Sequence, residues 1–511
     1  MKTNKITIVG GGSAGWMAAS TLINRFPNKD ITVIESPNIP IVGVGESTLG
    51  QINHWLKMLG IKDEDFMPHT DASYKLSIRF EDFYKKGDGG FHYPFGDVIE
   101  TKKLGLKQLW FLKKHLKPET PITNYANSLY QNMALVNNNV LFKNEKNELD
   151  HFDFQQHTAY HFDATKFGLW LRDYYCKPRG VKHILEDVDT IETNEDGIVS
   201  LNNKHTADMF IDCTGFKSLL LGKTLKEPFN NYNHLLPNNK AWATRVPYKD
   251  KENELVPYTN CTAIENGWVW NIPSWERIGT GYVYSDKYVS DEEALKEFKR
   301  HLDKKGSDYS NSQFKNIKMR VGIHNRLFVK NVCAIGLSAG FIEPLESNGL
   351  LSVHEFLINL VTVMKRGNED TISQWDRDNF NIFSKNFFDN FTEFVAMHYA
   401  LSHRDDTKYW KDVTNKSFID NRLFDKNMYL TLEAKMDTNN WLRSDSGTHC
   451  IGVGLRYFGC DVFKNKPKDP EAANLQIALR EKEVNKWNII CKDKPKLLQF
   501  LKENIHKDGW V

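Results

Sequence analysis

The residues with the clearest chemical potential stand near the start of the chain, in Gly10-Gly11-Gly12-Ser13-Ala14-Gly15. A G-x-G-x-x-G spacing lets a chain turn tightly out of a strand and into a helix. It also brings backbone amides up to a pyrophosphate at the helix N-terminus. The run follows an apolar strand pattern over 5–9 and opens a helical pattern over 13–26 that Pro27 stops. Glu35, twenty residues past Gly15, closes a second predicted strand, where a carboxylate would bind a ribose hydroxyl. Gly10, Gly12, Ser13, Ala14, Gly15 and Glu35 are therefore expected to hold a dinucleotide; the rival reading is a glycine turn with no ligand. Two later strand-to-glycine turns, Asp212-Cys213-Thr214-Gly215 and Asn331-Val332-Cys333-Ala334-Ile335-Gly336, favour FAD, since a long extended cofactor needs several strand ends. No second fingerprint serves NAD(P)H. Gly452-Val453-Gly454 lacks the strand–turn–helix setting.

The elements that must position these groups can be read from periodicity. Strand, helix and strand over 5–35 predict a parallel sheet, with further buried strands at 209–212 and 331–335. A helix is expected after Gly43-Val44-Gly45-Glu46-Ser47, running to about Leu59. Over 74–80, Tyr74, Leu76, Ile78 and Phe80 alternate with Lys75, Ser77 and Arg79, so pattern alone puts Lys75 on a solvated strand face. The stretches 129–160 and 240–285 read as strand-rich with hairpin spacing. An almost wholly apolar helix is expected over 349–364, ended by Lys365, Arg366 and Gly367. Ser347-Asn348-Gly349 leads into it, and amides at such a helix start form an anion site. Residues 368–460 read as helical and aromatic-rich, and the last fifty are charged and least informative.

Composition removes several function classes. The 511 residues carry 67 Lys plus Arg against 65 Asp plus Glu, a formal charge of +2, which gives no support for a nucleic-acid partner. Seven scattered cysteines without a C-x-x-C pair argue against a disulfide framework and a zinc site, and fit free thiols in a reducing cytoplasm. No apolar run is long enough to span a membrane. Lys2 and Lys5 before an apolar stretch ending in Ala18-Ala19-Ser20 imitate a signal peptide, but three glycines interrupt what should be its apolar helix.

Trp268-Val269-Trp270-Asn271-Ile272-Pro273 fits W-x-W-x-I-P. Around it stand Gly43-Val44-Gly45-Glu46-Ser47-Thr48, Tyr160-His161-Phe162-Asp163, Asp212-Cys213-Thr214-Gly215-Phe216, Pro344-Leu345-Glu346-Ser347 and His403-Arg404-Asp405-Asp406. With these segments, over roughly 5–460, the chain resembles the flavin-dependent halogenases of the tryptophan-halogenase family. The resemblance implies that reduced FAD, oxygen and halide generate hypohalous acid, which crosses a tunnel to an electron-rich aromatic substrate. It implies Lys75 and Glu346 as catalytic residues. Lys75 would either hydrogen-bond hypohalous acid as an ammonium or form a haloamine as a neutral amine, and Glu346 would polarise the electrophile. Glu343, three residues earlier, is a decoy with a loop-carboxylate reading. Trp268, Trp270 and Pro273 would wall the tunnel and keep substrate from the flavin, though hairpin core packing explains the tryptophans equally well. Asn348 and Gly349 would bind halide (bromide, iodide or chloride), with Asn348 where a threonine is usual. Leu337 and Leu350 match positions flanking the flavin and Val188 a position near the adenine, each also readable as plain core.

The resulting expectation is an α/β protein. A Rossmann-like FAD-binding module comes from 1–75, 165–220 and 315–367; an inserted β-rich substrate module with C-terminal helices comes from 76–164, 221–314 and 368–511. A separate flavin reductase is implied as a partner, beside a small aromatic substrate, in the cytoplasm and without a metal. Self-association is left open. No segment within 430–460 matches the one by which free-tryptophan halogenases recognise the amino acid, so several electron-rich indoles or phenols are expected as substrates, with no strong preference for free tryptophan. The rivals are an aromatic monooxygenase on the same scaffold and a catalytically silent FAD-binding protein.

Overall fold

A computed structural model describes residues 1–39, 46–96, 98, 106–366, 369–414, 446–458 and 469–507. Its backbone divides into two units, one from 1–72, 161–239 and 317–392, the other from 73–160, 240–316 and 393–511. The protein is α/β, as its alternation of strand and helix patterns predicts.

The first unit is organised by a six-stranded sheet in the order Phe328–Val329, Val332–Ala334, Met209–Asp212, Lys5–Val9, Asp30–Glu35, Lys182–Leu185. All its pairings are parallel except the hairpin formed by the first two. Ile6, Ile8, Ile31, Val33, Met209, Phe210 and Ile211 are all buried, the pattern of strands covered on both faces. Between the first two strands in sequence, the helix Ser13–Arg25 buries Trp16, Met17, Leu22 and Ile23. A second apolar helix, Leu351–Arg366, buries Phe356, Leu357, Leu360 and Met364. It starts two residues later than expected, and the turn before it carries Ser347 in the left-handed region, at φ 58°.

The second unit is built on a sheet that runs Lys240–Val246, Ile278–Tyr284, Gly267–Pro273, Tyr258–Ile264, Ser77–Glu81, Gly90–Pro94. The 240–285 stretch is strand-rich, as its spacing predicts. Ser77–Glu81 pairs parallel to Tyr258–Ile264, so this part of the sheet joins distant segments of the chain. The helix Asp291–Lys305 packs Ala294, Phe298 and Leu302 against Val269, Tyr282 and Tyr284.

Three expectations are corrected. The 129–160 stretch is mostly turn and loop around two short helices (Asn132–Asn138, Phe154–His157), with only the start of one strand, Ala159–Phe162. The misleading run is Met133-Ala134-Leu135-Val136, buried throughout, because a short fully apolar run has no period to separate buried helix from strand. The 74–80 alternation is not one strand with a wet face. It breaks at Leu76, whose amide donates to the Pro257 carbonyl at 2.7 Å, and Lys75 and Ser77 are as buried as their neighbours. Glu46–Ser47 forms a short strand before the helix Ile52–Leu59, while Gly43, Val44 and Gly45 lie outside the described residues, as does Gly367. Among the described residues no helix is long and apolar enough to cross a membrane, and no cluster of His, Cys, Asp or Glu could hold a metal. The six described cysteines are free and buried.

Candidate active site

The three glycine turns meet at one edge of the six-stranded sheet. The Gly10 amide donates to the Ile34 carbonyl at 2.8 Å, the Cys213 amide to Val9 at 2.8 Å, and the Ile335 amide to Asp212 at 3.0 Å. Ala14 packs against Gly336. The helix that Ser13, Ala14 and Gly15 open has Gly12 at its cap, with no side-chain cap and no acidic residue in its first turn. Its amides thus present an unneutralised positive end, which suits a pyrophosphate. The Ser13 hydroxyl is committed elsewhere, donating to the Ala164 carbonyl at 2.8 Å, so this residue can offer a ligand only its amide.

Glu35 ends its strand beside that turn. A Cβ at Gly11 would stand 2.1 Å from the Glu35 Cδ, so only glycine lets the carboxylate fold across the turn. Its Oε2 lies 2.8 Å from Nε2 of His183, on the neighbouring parallel strand, and the His183 ring meets Trp16 edge-on at 5.0 Å. His183 carries no sequence signal, because only strand pairing brings it to Glu35. Val188 follows on the loop after that strand and is part-buried. Asp212 organises the second turn from within. Its Oδ1 accepts the Thr214 amide and hydroxyl, at 3.0 and 2.6 Å, and its Oδ2 accepts the Leu220 and Leu221 amides, at 2.8 and 2.9 Å. The glycine turns and Glu35 together fit FAD.

Glu346 ends a short helical turn, Pro344–Glu346, and is fully buried. Glu343 is fully buried too, with the Asn238 amide 3.2 Å from its Oε2. The Ser347 hydroxyl donates to Ser47 at 3.1 Å, which ties this loop to the Glu46–Ser47 strand. Asn348 is turned inward, its Nδ2 donating to the Glu343 carbonyl at 3.3 Å, while its buried Oδ1 has no partner among the described residues. Leu337, Asn348 and Gly349 line one small pocket, with Phe341, Phe387 and Phe388 on its wall. Leu350, next in sequence, is buried.

In the second unit Lys75 closes the strand Ser73–Lys75 and is fully buried, its Nζ 4.9 Å from the centre of the Phe95 ring. The Ser73 hydroxyl donates to the Pro273 carbonyl at 2.6 Å, anchoring the lysine strand to the end of the tryptophan strand. Trp268 and Trp270 share one sheet face, ring centres 6.2 Å apart, and Trp270 lies across Gly281 of the next strand. The Trp270 Nε1 is buried without a partner among the described residues, as are those of Trp16 and Trp110.

The family model for tryptophan halogenases matches residues 5–449. Tryptophan 6-halogenase SttH of Streptomyces toxytricini is 34% identical over 445 residues, which cover 82% of this chain and 82% of that protein. Tryptophan 7-halogenase RebH of Lentzea aerocolonigenes is 33% identical over 431 residues, 80% of this chain and 78% of its own. Among solved structures, apo VirX1 superposes with a TM-score of 0.89 at 36% identity, covering 99% of this chain and 100% of that one. Tar14, a tryptophan C-6 flavin-dependent halogenase (chlorinase) from taromycin biosynthesis, superposes with a TM-score of 0.82 at 30% identity, covering 98% and 99%.

Proposed function

Because the chain belongs to the tryptophan halogenase family, whose members are flavin-dependent halogenating enzymes, we propose that it halogenates electron-rich indoles and phenols, with reduced FAD delivered by a separate reductase. In balance, an aromatic C–H, a halide ion, oxygen, reduced FAD and a proton become the aryl halide, oxidised FAD and two waters. Bound reduced FAD supplies, with oxygen, the oxidation that makes halide electrophilic. The first unit carries the cofactor and halide, and the second carries the substrate.

The chain's own residues then have separate tasks. The amides of Gly10, Gly12, Ser13, Ala14 and Gly15 hold the pyrophosphate, and Glu35, oriented by His183, takes a ribose hydroxyl. Leu337 and Leu350 shape the flavin surroundings and Val188 the adenine end. The loop at Asn348 and Gly349 holds halide by its amides. Lys75 holds hypohalous acid by a hydrogen bond, and Glu346 polarises it. Trp268, Trp270 and Pro273 keep water and substrate out of the electrophile's route.

The observation that carries this reading is the complete burial of Lys75 against Phe95. A lysine is seldom fully buried unless it is paired, and a reactive one must be kept from water. The test is incubation with a flavin reductase, NADH, FAD and a panel of indoles and phenols that includes free tryptophan, with and without bromide. The expected product shows the bromine isotope doublet, with no strong preference for tryptophan. Added oxygen without bromine would make the protein a monooxygenase, and no product with any halide would overturn the proposal.

A further inference from the structure

The loop assigned to halide has an acidic neighbour. Glu46 lies against Gly349 so closely that a Cβ there would stand 3.0 Å from the Glu46 Oε2 and 4.0 Å from Oε1. Two further contacts fix that placement. Ser47, the next residue, receives the Ser347 hydroxyl at 3.1 Å. Glu46 and Ser47 are themselves pinned by antiparallel pairing to Phe162 and His161. The backbone that carries the carboxyl is thereby held against the loop.

We infer that Glu46 couples halide binding to proton uptake: the anion enters the Asn348–Gly349 loop only when the Glu46 carboxyl is neutral. This rests on the assignment of that loop to halide. Two anions so close in a poorly solvated place repel strongly, so one must leave or be neutralised. Burial, helped by the negative charge of Asp163, raises the Glu46 carboxyl to about 7, within the range where a cell can titrate it. The other ionisable groups on the packed elements do not supply a compensating cation. Asp163 caps the helix Ala164–Trp170 through the Thr165 and Lys166 amides, at 2.9 and 3.1 Å. Lys166 turns its ammonium to Asp71, at 2.7 Å. Glu343 and Glu346 stand on the turn before Ser347, His161 is buried on the paired strand, and burial holds His354 below its usual range between Glu355, 3.4 Å away, and His54.

The signature is a bromide KM that is flat at low pH and climbs about tenfold per pH unit once Glu46 ionises near neutrality. Glu46→Gln, which keeps the shape and removes the charge, should make that KM flat between pH 6 and 8.5. Asp163→Asn keeps a capping side chain but removes the charge that raises Glu46, so it should move the rise to lower pH. Chlorine NMR line broadening by the protein without flavin should follow the same three profiles, which separates halide binding from turnover. Brominated product whose KM profile is unchanged by Glu46→Gln, or unmoved by Asp163→Asn, overturns the coupling. A wild-type protein that yields no brominated product at any pH overturns the halogenase reading itself.

Discussion

At the scale of residues, Lys75 has nothing in its sequence neighbourhood to mark it. The strand around it alternates as a half-wet strand would, yet the side chain is fully buried beside Phe95. If its task is to hold the electrophile, Lys75→Ala should reduce halogenated product to at most a few per cent of the parent rate. Oxygen should still reoxidise the bound reduced flavin, as followed by stopped-flow absorbance. Product above that level would remove Lys75 from the mechanism. Glu346→Gln keeps a polar group in the same buried turn and should slow halogenation by a smaller factor. Asn348 governs a different property. Chloride is more strongly hydrated than bromide, so its use needs a closely fitted anion site, and here the Asn348 side-chain amide donates away, to the Glu343 carbonyl. Bromide should therefore be consumed faster than chloride at equal concentration, and Asn348→Thr should narrow the gap. Initial rates with chloride that equal those with bromide would contradict this.

At the scale of elements, the site is built from turns at strand ends, and the turns depend on buried polar groups. Asp212 is the clearest case. Its carboxylate accepts three backbone amides and a hydroxyl, so the Asp212–Gly215 segment records an internal brace as well as an approach to the cofactor. Replacing it by alanine leaves those donors buried without an acceptor, at about 1–3 kcal/mol each by general experience. Asp212→Ala should accordingly lower stability by several kcal/mol in urea unfolding and weaken FAD retention. A loss under about 1 kcal/mol would mean that the turn is held by other contacts. Glu46–Ser47 shows the same economy: two residues of strand fix both the Ser347 loop and the carboxyl beside Gly349.

At the scale of the whole molecule, the chain has one dinucleotide fingerprint in a strand–turn–helix setting, and among the described residues the structure completes that one alone. Purified protein given NADH and FAD should therefore turn over only when a flavin reductase is added. Stoichiometric oxidation of NADH by the protein alone, read at the nicotinamide absorbance, would contradict this. The likeness to halogenases extends over nearly the entire described fold, with 98% of the chain superposed on Tar14, so helices beyond the family segments belong to the shared architecture. Of the 430–460 stretch, which holds no segment like the one that recognises free tryptophan, residues 446–458 are described, with a helix over Ser446–Gly454, and the rest lie outside the described residues.

The sequence by itself determined the class of the protein. The glycine fingerprint, Glu35, the W-x-W-x-I-P strand and the apolar helix before Lys365 are local patterns, and local patterns are set by turn geometry and by the period of burial. The α/β character and the strand-rich 240–285 stretch were legible for the same reason. What only the tertiary structure decided are contacts between residues far apart in the chain. His183 reaches Glu35 through a parallel pairing, and Ser73 reaches Pro273 across two hundred positions. The helix Asn132–Asn138 reads as strand until its partner, the C-terminal helix Pro470–Lys492, is in place, with Asn138 and Asn488 3.3 Å apart. Glu46 has no legible role within Gly43–Thr48, because nothing local says that Gly349 will lie against it. Burial and close approach are properties of the packed chain, and they turn an ordinary lysine and glutamate into groups with chemistry.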